Sequence, residues 1–400
     1  MLNRYATINS FRQKRAFISA TSTGYGKLPF EFKSSKEIYV VLCVLALTCF
    51  GFNREVTVKR LCLILALAAV GCASQAMAQQ NKVNVGLTRL ATDIALFVAE
   101  KRGYFESEGL DVSLVNFQSA AVMIVPMTSG DIDVMAGAAS AGLYNGLARG
   151  LDIRLVASKV TTPTGFTSQT LIIRKDHFES GKVKTVAQLK GMKIANAAAG
   201  TAAMGSLTRM LNTGGLTLKD VDFVNLAYPQ MVVALKNGAI DAALPAEPFT
   251  MEAVKGNFAV PLVRDDEVYP GHEIASMMMS GKLIRERRNE AVKFMKAFLR
   301  GARDHNDGLD ENGFFSGPKG EAIIAILNEY TAIKDPAFFR TYPLAYCDPN
   351  GTINKGTLSE DLAVFKDMDL VQGDITTDKL IDASILQQAI KELGGYEKVR

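Results

Sequence analysis

Three features of this 400-residue sequence predict two similar α/β halves, each built on a mainly parallel sheet. From Val83 onward, short apolar strands alternate with amphipathic helices, and after Gly181 the same rhythm starts again. Two segments also echo each other, Thr128-Ser-Gly-Asp-Ile-Asp-Val134 and Lys236-Asn-Gly-Ala-Ile-Asp-Ala242. Each reads as a helix end, a glycine cap and a strand carrying Asp, and together they suggest a repeated unit with a ligand cleft at the junction.

In the first half, Val83–Leu87 reads as a buried strand, Ala95–Lys101 as a helix closing at Gly103, and Leu110–Val115 as the next strand. Helix Ala120–Thr128 closes at Gly130, strand Ile132–Met135 follows, then helix Ala141–Ala148 stopped by Gly150 and strand Ile153–Ala157. The second half repeats this with a turn of helix at Val186–Lys190, strand Lys193–Ala195 and helix Ala202–Asn212. Strand Val221–Asn225, helix Pro229–Asn237 and strand Ala239–Leu244 complete it. Beyond Pro270 come a strand at Ile274–Met279, an amphipathic helix at Glu290–Arg303, and helical stretches at Glu321–Tyr330, Thr357–Phe365 and Ile385–Leu393. Met277, Met278 and Met279 read as core filler in a buried strand rather than thioether ligands.

The amino-terminal region reads as export machinery. Lys59 and Arg60 precede the apolar run Leu61–Val70, and small residues lead to Ala76-Met77-Ala78, the order a secretory signal requires. Cleavage after Ala78 is expected, with lipidation at Cys72 the less favoured processing route. Residues 1–55 fit neither scheme, so the natural start is expected near Val56 or Val58. Residues 1–78 hold ten of the 45 basic residues but three of the 41 acidic ones, so the rest of the chain is slightly acidic and no nucleic-acid partner is expected. Beyond the leader only Cys347 remains, and His177, His272 and His305 show no ligand spacing. A disulfide, a metal centre and a cofactor are therefore not expected.

Val98-Ala-Glu-Lys-Arg-Gly-Tyr-Phe-Glu-Ser-Glu-Gly-Leu-Asp-Val112 resembles the signature segment of nitrate-, sulfonate- and taurine-type periplasmic binding proteins, whose domain is shared with thiamine-pyrimidine synthases. Further similar motifs follow in order: Ser129-Gly-Asp-Ile-Asp133, Leu189-Lys-Gly-Met-Lys-Ile194, Gly200-Thr201, Gly215-Leu216 and Ala246-Glu-Pro-Phe249. The resemblance implies a type II periplasmic-binding-protein fold: two α/β lobes, two crossovers and an extra C-terminal helical region. Lobe one is expected at 79–176 and 271–320, lobe two at 177–270, and residues 321–400 as helices on lobe one. It also implies a periplasmic, monomeric ABC-importer component that catalyses nothing. That component would capture a small solute, expected to be anionic, and deliver it to a membrane permease with its ATPase.

In an open parallel sheet, ligands sit beyond the carboxyl ends of the strands, where helix amino termini offer free N–H groups. The candidates from the first half are Thr88, Arg89 and Thr92, then Gln118, then Ala138, Ala139 and Ser140. Those from the second half are Gly200, Thr201, Ala202, Tyr228 and Glu247. Gly200-Thr201 is expected at the centre, with Thr201 as helix cap and the helix end favouring an anion. Arg89 is a candidate counter-ion, and Glu247 either fills the first turn of a helix or meets a ligand amine. The alternatives are an enzyme of thiamine-pyrimidine or menaquinone type on the same scaffold, and an extracellular sensor.

Overall fold

The computed structural model describes residues 81–342 and 344–397. The expected leader, its cleavage site, Cys72 and the alternative start lie outside the described residues.

Ten strands form two five-stranded sheets. The first has the order β2 (Asp111–Asn116), β1 (Lys82–Leu87), β3 (Val134–Gly137), β10 (His272–Ser280), β4 (Ile153–Thr162). The second has the order β7 (Asp222–Asn225), β6 (Lys193–Asn196), β8 (Ala242–Ala243), β5 (Thr170–Arg174), β9 (Ala259–Arg264). In each sheet the first three are parallel, and an antiparallel strand follows. The two echoing segments occupy equivalent places: both end a helix on a left-handed glycine, Gly130 and Gly238, and both lead into the central parallel strand, β3 or β8.

The chain passes between the sheets twice, at 163–169 and at 265–271. The first crossover comes earlier than the expected boundary at 176, because Thr170–Arg174 pairs with β8 and β9 of the second sheet. Both β5 and β9 escape the sequence reading. They are short apolar runs with no helix of ordinary length between them and the neighbouring strands, so the βαβ rhythm that exposes the others is missing.

Met277 and Met279 lie in the core of the first lobe while Met278 points to the opposite face of the sheet, and all three are fully buried. Helix Arg288–Asp307 buries Val292, Phe294, Met295, Phe298 and Leu299 in the same core. It crosses helix Ile94–Lys101 so closely that a β-carbon on Gly301 would lie 2.1 Å from the Ala95 carbonyl oxygen.

The C-terminal region does more than cover lobe one. Helix Lys355–Asp367 places Leu358, Leu362 and Phe365 in one apolar cluster with Met135, Leu155 and Met278 of the first lobe and Leu207 and Met210 of the second. This corrects the expectation that residues 321–400 pack on lobe one for that helix, whereas Ile323, Leu327, Phe339 and Ile385 do join the lobe-one core. The sequence marks the helix's apolar stripe but carries no sign of which lobe the stripe meets. Among the described residues no helix is long and apolar enough to cross a membrane.

Candidate functional site

The carboxyl ends of β1, β3, β6 and β8 deliver the loops at 88–93, 138–140, 197–201 and 244–248 to the space between the lobes, and the two crossovers form its floor. At the mouth the lobes touch. The Ala141 N–H donates to the Gly200 carbonyl at 2.8 Å. Gly200 has φ of +66°, and a β-carbon there would come within 2.5 Å of that of Ala141. Glycine is thus needed both for its left-handed backbone and for the close approach of the lobes.

Between the lobes lies a cavity of about 10 Å³, at the threshold for one water-sized group. Leu90, Ala91 and Thr92 line it from lobe one, and Ala246 and Glu247 from lobe two. Thr167 and Ser168 of the first crossover and Leu344 and Ala345 of the C-terminal segment complete the wall. A larger open groove, lined in part by Lys82, Asn84, Asp133 and Arg287, sits at the amino ends of the parallel strands. Helix amino termini and crossovers converge on the other end, so the interlobe cavity is the better candidate.

Glu247 is the only ionisable residue in the cavity wall and is 5 % exposed. Its Oε2 accepts from the Met251 N–H at 3.2 Å, whereas Oε1 has no hydrogen-bond partner. Burial lifts its pKa to about 7, against the lesser opposing influence of the Tyr342 hydroxyl and the Met251 N–H. Close by, the buried Asp265 carboxylate accepts from the Thr167 hydroxyl at 2.6 Å and the Gln169 N–H at 3.0 Å, and burial raises it to about 6. The structure therefore brings Thr92 and Glu247 together and adds Thr167, Ser168, Leu344 and Ala345, which sequence reasoning missed. Thr167 and Ser168 sit in a crossover whose place was misjudged, and the C-terminal pair belongs to a segment with no strand-end signal.

The other candidates have different fates. Thr201 begins its helix, but its hydroxyl donates to the Ala198 carbonyl at 3.1 Å rather than capping a helical N–H, which corrects its expected capping role. Ser140 is the residue that caps, accepting from the Leu143 N–H at 3.2 Å. Ala139 and Ala202 are buried, Ala138 half-buried, and none of them lines the cavity. Thr88 is half-buried and Gln118 exposed. Arg89 is exposed on a left-handed backbone, φ 53°, an unusual conformation for a residue with a side chain. Tyr228 is half-buried and stacks on Phe249 with ring centroids 5.9 Å apart, and desolvation lifts its hydroxyl to about 12.

Two buried charge clusters frame the cleft. The Lys159 ammonium lies 2.5 Å from Asp93, with side chains 2 % and 0 % exposed. Asp93 also accepts from the Leu90 N–H at 3.1 Å and so fixes the loop carrying Thr88 and Arg89. On the other side His272, fully buried, contacts the Ser206 hydroxyl through Nδ1 at 3.1 Å and Asp361 through Nε2 at 2.8 Å. This serine–histidine–aspartate set links a lobe-two helix, the first residue of β10 and the C-terminal helix Lys355–Asp367. Ser206 is 0 % exposed, which keeps any substrate from its hydroxyl. All three histidines are buried: His177 meets Asp241 at 2.6 Å, and His305 packs edge-on against Phe315.

Two sheets, two crossovers and a cleft between carboxyl strand ends define a two-lobed binding architecture. The chain belongs to the NMT1-like family, whose model matches residues 76–308. Among curated proteins it is 28% identical over 152 residues to a provisionally named thiamine biosynthesis protein of Haemophilus influenzae, and 27% identical over 236 residues to the nitrate import ATP-binding protein NrtC of Synechocystis. These matches span 38% and 55% of the chain but only 45% and 34% of the two relatives.

Among solved structures, the ligand-binding component of an ABC-type import system from Staphylococcus aureus aligns with a TM-score of 0.63 at 14% identity, covering 77% of this chain and 99% of that one. The periplasmic nitrate-binding protein NrtA of Synechocystis also gives 0.63, at 15% identity over 78% of this chain and 89% of that one. The desulfurization enzyme DSZB gives 0.54 at 14% identity, covering 78% and 99%. At such identities the likeness establishes the type II periplasmic-binding-protein fold, which serves binding proteins and an enzyme alike.

Proposed function

We propose that this chain is the solute-capturing component of an ABC importer, closing its lobes on a small molecule and presenting it to a membrane permease. The observation that carries this reading is the pair of sheets joined by two crossovers around a floor that contains a buried acceptor. Two short crossovers make a hinge, and closure adds affinity only through contacts present in the closed state. Contact of Gly200 with Ala141 supplies the closed mouth, while Thr92 and Glu247 contribute a solute contact from each lobe. The similarity to ABC-importer binding components supports the same role and a periplasmic location.

The enzyme reading draws on the desulfurization enzyme and the thiamine-related relative. Against it stands the sealed Ser206–His272–Asp361 set, which supports a fastening role rather than nucleophilic chemistry. A thermal-shift screen of sulfonates, nitrate, carboxylates, amines and heteroaromatic rings tests capture. A solute at one hundred times its dissociation constant is expected to stabilise the protein by about 2.7 kcal/mol. Turnover of a hit into a new compound would instead establish the enzyme, and a partner kinase in place of a permease would establish a sensor.

A further inference from the structure

Resting on the capture reading, we propose that Glu247 selects the solute through a nitrogen-borne proton, so that the captured molecule is a small amine or amino-substituted ring with an apolar body. The argument begins with an unsatisfied atom. Buried polar atoms are nearly always paired, and an orphan within a native interior needs a reason. Oε1 of Glu247 is buried and unpartnered, while Oε2 is already held by the Met251 N–H.

The surroundings narrow the partner. The buried cation Lys159 is committed to Asp93, and the half-buried Arg264 to Asp266 at 2.9 Å. The neighbouring carboxylate of Asp265 is already satisfied by the Thr167 hydroxyl and by backbone N–H groups. A second anion brought to this end of the cleft would face two buried carboxyls, whereas a donor nitrogen would complete the one acceptor left open. Leu90, Ala91, Ala246, Leu344 and Ala345 give the cavity apolar sides, which suit a carbon skeleton behind that nitrogen. Glu247 lines the cavity from lobe two and Thr92 from lobe one, so a donor held there bridges the lobes and favours closure.

The affinity of a protonated amine should also rise between pH 5.5 and 8, as Glu247 ionises through about 7. The charged and titratable groups acting on it are Asp265, which opposes ionisation, and the Tyr342 hydroxyl, which favours it. The backbone N–H of Met251 and the hydroxyl of Thr250 favour it as well.

The experiment uses calorimetry on the purified protein with matched probes: benzylamine against benzyl alcohol, 4-aminopyrimidine against 4-methylpyrimidine, and 2-aminoethanesulfonate against ethanesulfonate. It is run on the wild type and on Glu247→Gln and Glu247→Asp. Expected are binding of at least one nitrogen-bearing member with a preference of about 30-fold or more over its partner, and loss of that preference in Glu247→Gln. Glu247→Asp should bind more weakly yet keep the preference, and circular dichroism confirms that each variant folds. Equal binding of a matched pair, or an unchanged preference in Glu247→Gln, overturns the assignment while leaving capture intact. Failure of every probe, together with failure of nitrate and carboxylates in the wild-type screen, overturns the capture reading itself.

Discussion

Removing Asp93 should be among the most damaging single changes to this protein, and the cost can be worked from its surroundings. Asp93→Ala leaves the Lys159 ammonium, 2 % exposed, with its 2.5 Å partner gone, and frees the Leu90 N–H from its 3.1 Å bond. Breaking a buried ion pair from one side typically costs about 3–5 kcal/mol, because the survivor stays in a medium that cannot solvate it. The full exclusion of this pair from solvent places it within that range rather than near the ~0–1 kcal/mol of surface pairs. With a urea slope of about 3 kcal/mol per molar, the unfolding midpoint should fall by roughly 1–1.7 M. Lys159→Met alone should cost a similar amount, since it strands the carboxylate.

The double variant Asp93→Leu with Lys159→Met should recover most of the loss, because two apolar groups carry no desolvation penalty. The coupling between the sites, taken from Asp93→Leu and Lys159→Met measured singly and together, should then exceed about 3 kcal/mol. Single-variant costs below about 1 kcal/mol, or strictly additive effects in the double variant, would refute the view that these charges depend on each other.

Gly205→Ala should destabilise although alanine favours a helix by about 1 kcal/mol, because its β-carbon would lie 1.8 Å from Asp361 Oδ1; a urea midpoint lower than wild type checks the sign. Burial raises Glu273 to about 7, so the folded state holds its proton more tightly than the unfolded chain, whose ordinary value is near 4.3. Its stabilising contribution is fully present below that unfolded value and is lost as pH rises through 7. The stability of Glu273→Gln relative to wild type should therefore improve by about 1–3 kcal/mol from pH 5 to 8, measured by urea unfolding at each pH. Burial pushes the Cys347 thiol up to about 12, so its peptide should remain unlabelled by a thiol reagent in the native protein and label fully in denaturant, as read by mass spectrometry.

The parts of the fold legible in the sequence are those with a local cause. Gly130 and Gly238 mark helix ends because only a residue without a β-carbon takes φ near +80° cheaply, and the strands that follow each glycine form in place. The three consecutive methionines alternate between cores as strand geometry dictates. What stayed hidden depends on long-range pairing. β5 and β9 are antiparallel partners far apart in sequence, and nothing in Thr170–Arg174 states that Ala259–Arg264 lies beside it. The same limit explains the histidines: His272 has an unremarkable sequence context, and its burial follows from Asp361, 89 residues away, reaching over Gly205.

The candidate site divides along the same line. Strand-end logic finds Thr92 and Glu247 because loops after parallel strands must enter the cleft, but it cannot tell which loop residues turn inward. Thr201 shows the difference: its place at a helix start follows from sequence, while its hydroxyl serves the Ala198 carbonyl because the Gly200 turn brings that acceptor within 3.1 Å. Gly200 itself acts through its backbone, accepting the Ala141 N–H that an anion would otherwise have met. The Ala141 N–H, at the start of the facing helix Ala141–Ala148, is thus partnered by protein where the lobes meet, and an unfilled valence lies on Glu247. The proposed recognition of a donor nitrogen therefore turns on that open acceptor.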